Sequence, residues 1–101
     1  MKNQKTTDFL EELYSTIKSR AEGKNKNSYT RSLVKEGRNK ISQKVGEESI
    51  ELIVGFLNSS KKRTIEEAAD LIYHLLVLLY SKKITINDIK KELAKRKSVR
   101  R

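Results

Sequence analysis

The sequence of 101 residues contains no cysteine, no proline and no tryptophan, and it has only four glycines and one histidine. The absence of cysteine excludes disulfide bonds and thiolate metal sites. With no proline and few glycines, little interrupts a helix, and the frequent leucine, isoleucine, glutamate and lysine favour one. The longest apolar run, LIYHLLVLLY, is much shorter than the ~20 residues that a membrane-spanning helix needs. The sequence therefore predicts an all-α fold.

Positive charge is in large excess. The chain has 23 Lys and Arg against 13 Asp and Glu, a net charge of +10. This balance favours a polyanionic partner such as nucleic acid, a membrane surface or a phosphorylated metabolite. The N-terminal segment MKNQKTTDFLEEL has no apolar stretch of the kind found in signal peptides, so we expect a cytoplasmic protein.

The length predicts one domain over 1–101, near the size at which a single core is marginal and a partner subunit often completes it. Apolar spacing predicts helices over about 8–21, 30–38, 40–58, 65–82 and 86–96. The link NSSKKR after the third helix is expected to be solvated. The basic tail is expected to fray from 95 onward, with 97–101 flexible.

Capping residues mark three of the helix starts. Asp8 precedes Glu11 by three positions, and Thr85 precedes Asp88 by three. This spacing predicts N-terminal caps for the first and last helices. Thr64 is predicted to begin the fourth helix.

Two of the predicted helices carry carboxylates on faces that are otherwise apolar. In KVGEESIELIVGF, Glu47 and Glu51 lie one turn apart on a face that we expect to point inward, with Glu48 to one side. In EEAADLIYHLL, Glu67 and Asp70 stand three positions apart on a line that continues into apolar residues. Two consecutive helices therefore present acids toward the expected core.

Carboxylates that face a low-dielectric interior cost several kcal/mol each, or they protonate, unless a positive charge compensates them. A divalent cation would do so. Oxygen ligands without cysteine and with one histidine favour Mg²⁺ or Mn²⁺ over Zn²⁺. Magnesium held by carboxylates keeps positions open for water and substrate phosphates, so the pattern predicts phosphoryl or nucleotidyl chemistry.

Some of these acids have ordinary explanations. Glu67 follows Thr64 by three positions and could be the glutamate of a capping box. Glu47 and Glu48 could complement a helix dipole or pair with lysines on a solvated face. Capping explains neither Glu51 nor Asp70, and this favours the metal interpretation.

The segments SYTRSLVKEGRNKISQKVGEESIELIVG and EEAADLIYHLLVLL resemble phosphoribosyl-ATP pyrophosphohydrolase, a histidine-biosynthesis member of the all-α nucleoside triphosphate pyrophosphatase (MazG-like) superfamily. The resemblance covers about 9–96. It implies Mg²⁺-dependent hydrolysis of phosphoribosyl-ATP to phosphoribosyl-AMP and pyrophosphate by a helical dimer. The sequence does not contain the cyclohydrolase domain that some relatives carry, so we expect the free-standing form.

The resemblance also implies roles for the acids. Glu48 and Glu51 match the first acidic pair of the superfamily, Glu67 and Asp70 match the second, and Glu47 is an additional acid. All five are expected to bind metal. One of the first three, with Glu47 as a candidate, could instead hold the attacking water as a general base, and the sequence does not decide which.

Several basic and polar residues are candidates for substrate contacts. Lys44 and Lys40 lie one and two turns before Glu48, so both could reach triphosphate oxygens. The weaker candidates are Tyr29, Thr30, Arg31, Lys35, Arg38 and His74. A lone histidine such as His74 is more often a satisfied core residue, and the roles of the basic link 61–63 and of the tail 95–101 stay open.

The expected reaction is attack of water on the triphosphate, with cleavage between the α and β phosphorus atoms and release of pyrophosphate. A first alternative is a housecleaning nucleoside triphosphate pyrophosphatase that shares the acids. An alternative of another class is a basic helical module that binds nucleic acid through its tail. That alternative leaves the inward acids unexplained.

The fourth helix is apolar on nearly all sides, with Ile72, Leu75 and Leu79 on one of them. In a chain this short the other helices cannot cover the whole surface. We therefore expect a homodimer built as a helical bundle, with its two metal sites near the interface.

Overall fold

The computed structural model describes residues 8–100 of the chain, with side chains for 8–97. The described residues form five α-helices and no strand: α1 Phe9–Glu22, α2 Tyr29–Glu36, α3 Arg38–Asn58, α4 Lys61–Ser81 and α5 Ile86–Arg100. The predicted all-α fold class is confirmed. Within the described part, no helix has both the length and the hydropathy of a membrane span.

The predicted caps of the first and last helices are confirmed. The backbone N–H of Glu11 donates to Asp8 Oδ1 at 2.8 Å. At the start of α5, the N–H of Thr85 donates to Asp88 Oδ2 at 2.9 Å, and the N–H of Asp88 donates to Thr85 Oγ1 at 3.1 Å. This reciprocal pair satisfies backbone donors that the first helical turn leaves without partners.

The predicted start of the fourth helix is wrong. The helix begins at Lys61, with Ser60 as its N-cap accepting the N–H of Arg63 at 3.1 Å. Thr64 lies inside the helix, where its hydroxyl donates to the carbonyl of Ser60 at 3.0 Å. The basic segment 61–63 is therefore the first turn of α4 and not a solvated link.

The predicted end of the last helix is also wrong, because α5 continues to Arg100. The residues after 96 include no glycine or proline that would end a helix. Arg101, the last residue of the predicted flexible tail, lies outside the described residues.

The buried core lies at one end of the molecule. It is enclosed by α1, α2, the N-terminal half of α3 and the C-terminal half of α4. Its fully buried apolar side chains are Ile17, Leu33, Ile41, Leu76, Val77 and Tyr80. Gly37 alone connects α2 to α3, and its φ of 102° with ψ of 175° is a conformation that residues with a side chain rarely adopt.

The other end of the α3–α4 hairpin projects from this core. The Cα radius of gyration is 15.5 Å, against about 13 Å for a compact domain of this length. Large apolar side chains stay exposed at this end and along one side of α4 beyond its middle; we call them the hairpin stripe, Ile50, Ile53, Val54, Leu57, Ile65, Ile72 and Leu75. The antiparallel hairpin thus has a packed half and an uncovered half.

Candidate active site

Three carboxylates meet between α3 and α4, in the middle of the hairpin. Glu48 comes from α3, and Glu67 and Asp70 come from α4. One oxygen of each lies within 4.8 Å of the others. We call these three residues the acidic cluster. Glu48 and Glu67 are only 6% and 4% exposed, whereas Asp70 is exposed.

The sequence brings the two helices together here through a small residue. Gly55 is buried, and a Cβ atom on it would lie 3.6 Å from Cγ of Glu67. Ile41, Glu48 and Gly55 are spaced by seven residues, so they follow one side of α3. These three are the buried residues of that helix. Glu48 therefore points inward for the same reason that Ile41 does.

Two oxygens of the acidic cluster lack partners. Oε1 of Glu48 and Oε1 of Glu67 are buried, and neither has a hydrogen-bond partner among the described residues. Oε2 of Glu67 accepts a bond from Arg63 Nη2 at 2.7 Å, and Oε2 of Glu48 is 3.6 Å from Lys44 Nζ. Buried polar atoms in folded proteins nearly always have partners. The donor set, all of it hard oxygen, fits a divalent cation such as Mg²⁺ or Mn²⁺.

Burial raises the pKa of Glu67 above its usual 4.5. The guanidinium of Arg63 opposes this shift, while Glu51, Asp70 and Glu48 add to it by like-charge repulsion. The net direction is upward. Without a cation, the negative charge of Glu67 therefore destabilises the folded protein at neutral pH.

The remaining two acids differ in position. Glu51 is exposed, and together with Arg63, Gly55 and Glu67 it lines a cavity of about 300 Å³. The prediction that Glu51 points inward is therefore wrong, although it lies beside the acidic cluster.

Glu47 lies outside the cluster, and the prediction that it points inward is wrong. Its carboxylate accepts a bond from Gln43 Nε2 at 2.9 Å and lies 3.6 Å from Lys44 Nζ. The hydrogen bond from Gln43, with the charges of Lys44 and Lys40, lowers the pKa of Glu47. The physical reason is helix geometry. Successive residues of a helix are rotated by about 100°, so Glu47 points away from the buried side of α3 that Glu48 occupies. Its role as a base or a ligand stays a prediction.

Lys44 lies at the edge of the acidic cluster, with a side chain 26% exposed. Burial lowers its pKa, but Tyr29, Glu48 and Glu47 raise it by more, so the net shift is upward. The ammonium is charged at neutral pH and has access to solvent on one side. Lys40 lies one turn earlier on α3 and is half-buried. Both lysines thus follow the same side of α3 as the buried acid.

A layer of aromatic rings, formed by Tyr29 at the start of α2 and by Tyr73 and His74 on α4, lies next to Asp70. His74 follows Asp70 by one turn, and its Nδ1 donates to the Asp70 carbonyl at 2.8 Å. Because a carbonyl can only accept, Nδ1 carries a proton, and Nε2 can accept from the hydroxyl of Tyr29 at 2.9 Å. Both nitrogens of this buried ring are therefore paired, which fits the satisfied-core interpretation.

Tyr73 was not among the candidates from the sequence, and it lies between Asp70 and the start of α2. Its hydroxyl hydrogen-bonds the hydroxyl of Thr30, which is 2% exposed. The rings of Tyr73 and Tyr29 stack with centroids 6.2 Å apart and planes 30° apart. The available signal was that Tyr73 follows Asp70 by three positions on the same helix.

Three of the weaker candidates are not brought to the acidic cluster. Arg31 Nε donates to the carbonyl of Gly23 at 2.9 Å and so fixes the α1–α2 loop. Arg38 Nη2 lies 3.4 Å from the carbonyl of Ser81, at the end of α4 and about 16 Å along that helix from Asp70. Lys35 is exposed on the outer side of α2.

The α3–α4 hairpin thus carries a cluster of three carboxylates, two of them buried, with Lys40 and Lys44 preceding Glu48 on α3. Residues 10–97 match the phosphoribosyl-ATP pyrophosphohydrolase family. The chain is 47% identical to the phosphoribosyl-ATP pyrophosphatase of Clostridium novyi, over 89% of this chain and 82% of that protein. It is 44% identical to the one of Metallosphaera sedula, over 89% and 97%.

The chain is also 46% identical to the histidine biosynthesis bifunctional protein of Bacteroides thetaiotaomicron, over 96% of this chain and 48% of that protein. It therefore spans about half the length of this bifunctional relative. The chain belongs to the phosphoribosyl-ATP pyrophosphohydrolase family.

The raised pKa of Glu67 predicts a pH-dependent effect of replacing it. In chelator, Glu67→Gln should be more stable than the unmodified protein at pH 7, because the amide has no charge to hold against three neighbouring acids. The difference should disappear below the usual pKa of 4.5, where the carboxyl is protonated in both folded and unfolded states. The stability difference should grow as the pH rises from 4.5 to the raised pKa of Glu67 in the folded protein.

Urea unfolding midpoints at pH 4 and pH 7, at one protein concentration, measure this difference. Glu12→Gln is the control, because Glu12 is an exposed acid on α1 with no ion pair among the described residues. A Glu67→Gln protein less stable than the unmodified one at pH 7 would contradict the account.

Proposed function

We propose that this chain hydrolyses phosphoribosyl-ATP to phosphoribosyl-AMP and pyrophosphate, as a step of histidine biosynthesis, with Mg²⁺ or Mn²⁺ at the acidic cluster. Family membership supports the reaction. The observation that carries the proposal is the pair of buried carboxylate oxygens without donors, on Glu48 and Glu67, beside the charged Lys44. Arg63 and Lys44 offset only part of this negative charge, so a divalent cation would find ligands here, and the lysines would supply charge for phosphate.

The metal would be held by the acidic cluster, with Glu51 close by. Oxygen donors alone, without a sulfur or imidazole atom in the cluster, suit Mg²⁺ or Mn²⁺ better than Zn²⁺. A divalent cation held there would polarise phosphoryl oxygens and acidify a bound water. The buried positions of Glu48 and Glu67 fix their carboxylates before a ligand arrives, so little reorganisation is needed on binding.

The lysines and the exposed acid would then act on the substrate directly. Lys44 would release Glu48 in part and contact triphosphate oxygens, where its charge stabilises the oxyanions that develop as pyrophosphate leaves. Glu51 faces the cavity beside Glu67 and has no ion pair among the described residues, so it is free to hold the attacking water and accept its proton. Glu47, which already accepts from Gln43, is less well placed for that task.

The test of this function is the release of pyrophosphate by two variants. Glu51→Gln and Asp70→Asn should each lower pyrophosphate release from phosphoribosyl-ATP by roughly 100-fold or more while leaving the far-UV spectrum unchanged. Each substitution removes one negative charge from the site without changing the size of the side chain. Glu12→Gln, an exposed acid on α1 with no ion pair among the described residues, makes the same charge change away from the cluster. Near-full activity of both site variants at saturating Mg²⁺ would refute the assignment.

Arg63 makes a second test possible, because it competes with a cation for Glu67. Its Nη2 atom is 2.7 Å from Oε2 of Glu67, and its side chain is 58% exposed. Arg63→Gln should tighten Mg²⁺ binding by roughly tenfold, since it removes a positive charge beside the site and frees a ligand oxygen.

Calorimetric titration of Mg²⁺ into the substrate-free protein measures this affinity. Lys62→Gln is the control, because it changes the net charge equally from an exposed position one residue away. Equal affinities for the two variants would show that Arg63 does not oppose the metal.

We propose that two copies of the chain pair through the hairpin stripe. Ile50, Ile53, Val54 and Leu57 recur at three- and four-residue spacing on one side of α3, and each is more than half exposed. Soluble monomers rarely expose such a continuous apolar surface. Ile50 and Val54 also line the cavity of Glu51 and Glu67, so the interface would lie beside the metal site.

A dimer predicts that the urea unfolding midpoint rises with protein concentration. Ile53→Lys should yield a monomer in sedimentation, because Ile53 is 53% exposed and its replacement leaves the monomer core intact. Leu93→Lys on α5, at 58% exposure, is the control and should remain a dimer. A folded monomer of the unmodified chain at micromolar concentration would contradict this pairing.

A further inference from the structure

A second cavity lies on the other side of the aromatic layer. It has a volume of about 590 Å³ and is formed by the C-terminal end of α1, the loop 23–28 and the start of α2. Tyr29, Thr30 and Tyr73 close it on the inner side. We call it the loop cavity. None of its lining residues belongs to the acidic cluster.

The loop cavity adjoins the acidic cluster through one layer of side chains. Tyr29 lines the cavity and also hydrogen-bonds His74, one turn from Asp70. Burial raises the pKa of Tyr29, the charge of Lys44 opposes the shift, and Glu48 adds to it. His74 in turn donates to the carbonyl of Asp70, a residue of the acidic cluster. A ligand bound at the cluster could therefore extend past the ring of Tyr29 into the cavity.

The lining of the loop cavity is basic. Arg20 and Lys24 contribute cations, and no aspartate or glutamate lines the cavity. Among the described residues, neither cation has a carboxylate within ion-pair distance, while the neighbouring Lys18 is paired with Glu22. Hydroxyl and amide groups of Ser19 and Asn27 add further polar atoms. Two free cations with neutral polar groups are suited to a phosphate group.

The loop is also held in shape without using these groups. Arg31 Nε donates to the Gly23 carbonyl at 2.9 Å, and the N–H of Asn27 donates to Asn25 Oδ1 at 2.9 Å. Ser28 caps α2 by accepting the N–H of Arg31. The cavity wall is therefore ordered by its own hydrogen bonds, and the side chains of the cations are left for a ligand.

We propose that the loop cavity binds a phosphate monoester on a ribose, with Arg20 and Lys24 as its cations. This inference rests on the proposed function, because phosphoribosyl-ATP differs from ATP in carrying a second ribose phosphate at the end opposite its triphosphate. A phosphate monoester carries close to two negative charges at pH 7. The stacked rings of Tyr29 and Tyr73 lie between the two anion sites and offer an apolar surface for the purine and ribose. The loop cavity thus selects the phosphoribosylated nucleotide over an ordinary triphosphate.

The kinetic test replaces both cations. Arg20→Gln with Lys24→Gln should lower kcat/KM for phosphoribosyl-ATP, relative to that for ATP, by roughly 100-fold, about tenfold for each charged contact. The loss should fall mainly on KM, since a contact distant from the reacting atoms holds substrate and transition state alike. Lys26→Gln with Lys91→Gln makes the same change of net charge from exposed positions and should retain the selectivity. An unchanged ratio in the Arg20 and Lys24 variant would overturn the proposal.

A binding measurement keeps this inference separate from the reaction itself. Ribose 5-phosphate, titrated to millimolar concentration, should shift backbone amide NMR signals of residues 19–30 in the unmodified protein and in the Lys26 and Lys91 variant. It should not shift them in the variant lacking Arg20 and Lys24. Such shifts in a protein that releases no pyrophosphate would support the phosphate site while refuting the proposed reaction. Pyrophosphate release without these shifts would refute the phosphate site alone.

Discussion

The structure depends on the burial of two carboxylates, Glu48 and Glu67, between the antiparallel helices α3 and α4. Like charges in a low-dielectric space repel, and each of these side chains has one oxygen without a partner among the described residues. Arg63 and Lys44 neutralise the other oxygens from the solvent side. A divalent cation would reduce this repulsion and give the unpartnered oxygens a ligand contact. The packing of the two helices is thereby linked to the proposed chemistry.

The same hairpin explains the uneven distribution of the core. One half of it is covered by α1 and α2, and its apolar residues are buried. The other half keeps the hairpin stripe exposed, and the acidic cluster lies between the two halves. The core supports the site from one side, and in the proposed dimer a second subunit would close it on the other. The aromatic layer of Tyr29 and Tyr73 occupies the covered side, between the cluster and the loop cavity.

Much of this arrangement could be predicted from short-range sequence patterns. The all-α class follows from composition, and the caps at Asp8 and Thr85 follow from residue types at fixed spacing. The three-residue spacing of Glu67 and Asp70 pointed to the acidic cluster, whereas the spacing on α3 favoured Glu47 and Glu51, which are exposed, over Glu48. Glu67 is not the glutamate of a capping box, because α4 begins six residues before it, at Lys61.

The wrong predictions concern positions where local sequence patterns favour two alternatives equally. Ser60 and Thr64 are both good caps, and the first of them begins α4 because nothing in KKR breaks a helix. Glu47 and Glu48 are adjacent acids, and the side of α3 that is buried is set by Ile41 and Gly55 against α4. The pairing of Thr30 with Tyr73 joins residues 43 positions apart. Tertiary contacts of this kind have no signature in a single sequence.

The central claim is that the buried acids hold a divalent cation, and anomalous diffraction from crystals grown with Mn²⁺ tests it most directly. The account predicts one or more strong anomalous peaks within coordination distance of oxygens from Glu48, Glu67 and Asp70, with Arg63 moved away from Glu67. The absence of a peak at this cluster, with Arg63 still bonded to Glu67 at millimolar Mn²⁺, would contradict it.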